Sequence, residues 1–138
     1  MGGLVVKAAY LLAHSSPELA PVAARVSAIL FLATPHQGAA LARTLSSLLS
    51  LAAEPQPFVS DLVPGSATLQ RINDEFPLVS GQLQLISFFE TRPMEVAGRK
   101  ALVVEKDMAV MNLANESRTY LDADHRRVAM FASRVDPS

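Results

Sequence analysis

The chain has 138 residues, half of them hydrophobic, with 12 basic and 13 acidic side chains for a formal charge of -1, and no cysteine. That length holds one domain at most, and the even mix of charge excludes a nucleic-acid surface. The missing thiols exclude disulfides, thiolate zinc sites and a cysteine nucleophile. No apolar run reaches the ~18 residues of a membrane span. The stretch from Met1 to Leu12 is a poor secretory signal because Gly2, Gly3 and Lys7 interrupt it. With the absent cysteines, this points to an intracellular, cytoplasmic protein.

Leu4 to His14 is apolar around most of a helical wheel, so the pattern predicts a helix buried between layers. Gly2 and Gly3 in its first turn are costly unless something approaches the backbone closely. A natural start rarely opens on a buried helix with no capping residue ahead of it. The chain therefore reads as one entered partway through a domain. Ser16-Pro17-Glu18 has the pattern of a helix cap followed by proline. Ile29 to Ala33 is a short apolar run that predicts a strand buried on both faces, as in parallel sheets. It breaks into Thr34-Pro35-His36-Gln37-Gly38, a polar turn at the strand end where open α/β sheets place their ligands.

Ala39 to Ala53 repeats leucine at helical spacing, and Asp61 to Gly65 reads as loop. Ser66 opens a helix through Leu69, Ile72 and Phe76 that Pro77 closes. Leu83 to Phe89 is the next strand, ending on Glu90; Ala101 to Val104 is a third, with Asp107 just beyond it. Arg118 to Leu121 adds a short fourth, and Arg126 to Arg134 closes the chain as a helix. The order of elements is α/β, with three to four strands, too few for a complete doubly wound sheet.

Three histidines are available as a general base. His14 suits a helix carboxyl end and reads as structural or solvated. His36 either lines a pocket or is a turn residue bonded to backbone. His125, after Asp122 and Asp124, is either a base on a carboxylate or a capping histidine. Glu90 and Asp107 each follow a predicted strand and are the two candidate acids to orient an imidazole. Asp122, Asp124 and His125 are also chemically suited to a divalent metal, but nothing distant completes the set, so neither metal nor cofactor is expected. A nucleophile is missing: there is no Gly-x-Ser-x-Gly, and Gly65-Ser66 has neither a second glycine nor a strand before it. Phosphate-loop and dinucleotide glycine patterns are absent too.

Several blocks, in order across the whole chain, match one family. Met1-Gly2-Gly3-Leu4-Val5-Val6-Lys7 resembles the second half of the Gly-His-Ser-Met-Gly-Gly-Leu-Val-Val-Lys nucleophile elbow of α/β-hydrolases. Ile29 to Gly38 resembles Ile-Ile-Phe-Leu-Gly-Thr-Pro-His-Arg-Gly, and Leu85 to Thr91 resembles Ser-Phe-Tyr-Glu-Thr. Val103 to Val110 resembles Val-Val-Pro-Lys-Asp-Ser-Ala-Val, and Leu121 to Phe131 resembles Leu-Asp-Ala-Asp-His-Arg-Asp-Ile-Cys-Lys-Phe. The relatives are lipase-like serine hydrolases attached to fungal NACHT, ankyrin or tetratricopeptide proteins, and the related serine-active-site protein of animal mitochondria. The chain departs from their pattern at Gln37, Met108, Arg127, Ala129 and Met130.

The resemblance implies the carboxyl-terminal half of an α/β-hydrolase fold, a partial domain over residues 1–138 with an incomplete sheet that lacks the amino-terminal half and the nucleophile strand. It assigns His125 as the triad histidine and Glu90 as its acid, Asp107 being the alternative. Thr34, His36 and Gly38 would line the substrate pocket, and the Met1 backbone N–H would stand at an oxyanion position. The serine would fall immediately before Met1. The implied activity is hydrolysis of an ester, such as a lipid, with this chain inactive alone. The implied partners are the missing amino-terminal half or a second copy. The competing reading is a non-catalytic module that binds protein or lipid through an open sheet edge. The resemblance also allows a mitochondrial or endoplasmic-reticulum location.

Overall fold

A computed structural model of the chain describes residues 2–36, 67–96 and 99–130. The predicted helix over Ala39 to Ala53, the loop from Asp61 to Gly65, and residues Met1 and Gly38 lie outside these. Helix α1 (Gly2–Ser15) buries Leu4, Lys7 and Leu11, one stripe at helical spacing. Val5, Val6 and Leu12 are exposed, so among the described residues the helix is covered on one face rather than between layers. Helix α2 (Ala20–Ala23) begins later than the Ser16-Pro17 pattern predicts, with proline in its first turn and Leu19 as an N-cap without a side-chain bond. The Ser16 carbonyl accepts the Leu19 and Ala20 N–H groups instead, forming a turn ahead of it.

Strand β1 (Ala28–Leu32) buries Ile29 and Phe31, but Leu30 on its other face is 57% exposed. The expectation of a doubly buried strand is corrected on this point, because among the described residues the face of β1 that carries Leu30 is left largely uncovered. Helix α3 (Ala67–Val79) buries Leu69, Ile72 and Phe76 and carries Pro77 inside rather than at its end. Proline removes one ladder bond at the last turn, and the ladder resumes where Ser80 N–H donates to Phe76 O at 3.1 Å.

Strand β2 (Gln84–Glu90) lies between β1 and β5 (Glu116–Leu121), parallel to both, in the order β1-β2-β5. The fold is thus mixed α/β with a small open three-stranded parallel sheet. Ile29, Phe31, Leu85 and Leu83 from the sheet side pack with Leu4, Leu11, Leu69, Ile72 and Phe76 from α1 and α3 as the main core.

The predicted third strand over Ala101 to Val104 is not in that sheet. Residues Met94–Val96 (β3) and Arg99–Ala101 (β4) form a separate antiparallel pair, and Val103 and Val104 pack with Met94, Met108 and Ala109. Helix α4 (Lys106–Ala109) follows. The helix predicted from Arg126 is, within the described residues, a single 3₁₀ turn over Arg127–Ala129, with Met130 extended after it. Among the described residues no helix is long and apolar enough to cross a membrane.

Candidate active site

Three parallel strands deliver their carboxyl ends to one edge, and the polar residues that follow them meet there. Glu90 is the last residue of β2 and stands opposite Leu121, the last of β5. The chain then turns. Ala123 N–H donates to Leu121 O at 2.8 Å, and the Asp124 carboxylate accepts the Arg126 and Arg127 N–H groups at 2.9 and 3.0 Å. Those backbone donors, Arg127 first, hold the Asp124 carboxyl below the usual carboxylate range. Val128 anchors the turn against Ala33, Leu121 and Ala123.

This turn presents His125 to the end of β2, with Nδ1 3.0 Å from Glu90 Oε2. The Glu90 side chain is fully buried, whereas that of His125 is 18% exposed. Glu90 Oε1 accepts the Val104 N–H at 2.7 Å, which pins the carboxylate from the side of the 103–104 segment. An ionised Glu90 carboxylate can only accept, and with it in that state Nδ1 donates the proton and Nε2 presents a lone pair. Nε2 has no hydrogen-bond partner among the described residues. A buried carboxylate holding one tautomer of a partly exposed imidazole is the arrangement of a general base and its orienting acid.

The other candidates fall elsewhere. Asp107 lies on the first turn of α4 and is exposed, and no hydrogen bond or ion pair joins it to His125. Its placement at a core-strand end is corrected, since the run before it belongs to no sheet strand of the core. His14 is exposed at the end of α1, its ring 6.2 Å from that of Tyr10. Asp122, Asp124 and His125 turn to separate partners, namely Arg92, backbone N–H groups and Glu90. Among the described residues no group of three or more His, Cys, Asp or Glu is placed to hold a metal ion.

Thr34 and His36 are both buried beyond β1. A Cβ on Gly3 would meet Thr34 Oγ1 at 2.3 Å, so the start of α1 rests directly on the end of β1, while Gly2 has open space. This is the close approach that one of the two glycines was expected to serve. His36 N–H donates to Met108 O at 2.7 Å, and its ring stands edge-on to Phe31 with centroids 4.7 Å apart. Among the described residues neither ring nitrogen of His36 has a hydrogen-bond partner. Burial first, then the nearby Lys7 charge, pushes this imidazole down to about 2, so it stays neutral and packed.

Three features escaped the sequence reading. Lys7 is 2% exposed, its Nζ 5.8 Å from the Phe31 ring centroid and 5.3 Å from that of Phe76. Its place in the Leu4–Leu11 stripe was the available clue. Ala33 takes φ 42, the left-handed region, where the chain leaves β1; an alanine gives no notice of this. Arg92 forks onto Asp122, its Nε 2.7 Å from Oδ1, and that bond holds the Asp122 carboxyl below its usual range. Comparison with protein-family models, with curated proteins and with solved structures finds no match for this chain.

Proposed function

We propose that the chain carries the histidine and acid of a serine ester hydrolase site, of the lipase-like α/β-hydrolase kind that its motifs resemble. The observation that carries this reading is the His125–Glu90 hydrogen bond of 3.0 Å at the carboxyl edge of a parallel sheet. His125 Nε2 takes the proton of an attacking hydroxyl and returns it to the leaving alcohol. Glu90 keeps the imidazole in the required tautomer and stabilises the imidazolium between those steps. Support also comes from α1, whose first turn packs at Gly3 against Thr34, beyond the carboxyl end of β1. In this reading the serine precedes α1, outside these 138 residues, and the substrate is an ester with an apolar acyl chain.

A second reading, a binding module derived from such a fold, has its own supporting observation. Beside the β1 edge runs an apolar groove of about 470 Å³ whose lining includes Val6, Tyr10, Ala13, Val22, Val26 and Leu30. The two readings separate in one assay with p-nitrophenyl esters and a fluorophosphonate serine probe. It compares these 138 residues with a form extended upstream through a Gly-His-Ser. Turnover and labelling only in the extended form, abolished by His125→Ala, support the hydrolase. A folded extended form that neither labels nor turns over ester overturns it in favour of the module.

A further inference from the structure

Glu90 ends β2 and His125 sits in the turn after β5, and their hydrogen bond lasts only while the loops that follow these two strands keep their register. Backbone contacts between the loops gather at one point: the Thr91 and Arg92 N–H groups both donate to Ala123 O, at 3.3 and 3.1 Å. Thr91 Oγ1 adds a bond to Leu121 O at 3.1 Å. Outside them lies the fork, in which Arg92 Nε donates to Asp122 Oδ1 at 2.7 Å and Nη2 donates to Oδ2.

The placement of the fork is economical. Arg92 comes two residues after Glu90, and Asp122 three before His125, so the pair joins the two short arms that end in the dyad. Both side chains are more than half exposed, at 58% and 60%, so burial does not account for their ordering. A two-pronged guanidinium–carboxylate contact fixes direction as well as distance, which a lysine in the same place would not do.

We propose that Arg92 and Asp122 are positioning residues whose forked ion pair sets the His125 imidazole on the Glu90 carboxylate. The inference rests on His125 acting as the base of the site, but its test needs neither nucleophile nor substrate. In the 138-residue chain labelled with ¹⁵N in histidine, NMR reads the tautomer of His125 and the solvent exchange of its Nδ1 proton. His125→Gln identifies the resonance. Arg92→Lys, which keeps the charge and loses the fork, and Asp122→Asn should each speed that exchange by about two- to five-fold, the scale of an exposed pair with good geometry. Amide protection in β2 should stay at its original level, and the exchanged pair Arg92→Asp with Asp122→Arg should slow the proton again. On the unaltered chain, 1 M salt should produce the same acceleration by screening, which keeps the proposal testable if a variant fails to fold. Exchange that is indifferent to both substitutions, or to salt, overturns the proposal. So does acceleration accompanied by loss of β2 protection, which would make the pair a general brace. Because the dyad is read directly, a silent esterase assay and a failed clamp are separate results.

Discussion

Lys7 shows how far one residue can depart from its ordinary state. Burial pushes its ammonium down to about 8 from 10.5, with the Glu116 charge acting the other way. The folded state therefore binds this proton less tightly than the unfolded chain. Below about pH 8 both states are protonated and the folded one bears the cost of the buried charge; the cost falls as pH rises from about 8 towards 10.5. Lys7→Met, which fills the space between Phe31 and Phe76 without a charge, should stabilise the fold at pH 7 by about 2 kcal/mol. The gain should shrink towards zero near pH 10.5. Urea unfolding of both proteins at the two pH values checks this, and a gain independent of pH would contradict it. Ala33 is a second such residue, since its left-handed φ of 42 stores on the order of 1 kcal/mol of strain at the exit of β1.

Among elements, the contact of α1 with β1 decides the shape of the candidate site. Gly3 is the only described glycine whose added Cβ would meet anything, and what it meets is the Thr34 side chain at 2.3 Å. Gly3→Ala should push the start of α1 away from the β1 end and cost about 1–3 kcal/mol, as overpacking does. Gly2→Ala, with no atom within 4 Å, should range from neutral to stabilising by up to about 1 kcal/mol. Thr34→Ala in the Gly3→Ala background should recover part of the loss by removing Oγ1 and Cγ2. Thermal denaturation of the wild type, Gly3→Ala, Thr34→Ala and the double variant completes a double-mutant cycle. Additive losses would show that Thr34 is not what Gly3 makes room for.

For the whole molecule, the feature with consequences is β1, which among the described residues stands at an open edge of the sheet. Strand β1 contains no charge, proline or bulge, and Leu30 projects from it largely uncovered. Natural edge strands are guarded by such devices because free backbone groups invite pairing. These 138 residues should therefore associate with rising concentration in sedimentation velocity, and Leu30→Lys should shift them towards monomer. A wild-type chain that stays monomeric across the concentration range would show that the edge is already covered.

Much of this was legible in the linear chain, because it depends on neighbours in sequence. The stripe of Leu69, Ile72 and Phe76 and the apolar run ending at Glu90 are local patterns, and they lie where periodicity put them. The run over Ala101 to Val104 misled, because a short apolar segment has the same composition whether it joins a sheet or packs as a buried connection. Only its packing with Met94 and Met108 shows that it covers the end of β2 and donates Val104 N–H to Glu90. Sequence motifs could name Glu90 and Asp107 alike as acids for His125. The structure brings Glu90 and not Asp107 beside His125: with Glu90 opposite Leu121, the turn after β5 sets its imidazole 3.0 Å from that carboxylate, 35 residues away along the chain. The residue types of the site were thus written in the chain, while their pairing was decided by strand register, a property that no local stretch of sequence contains.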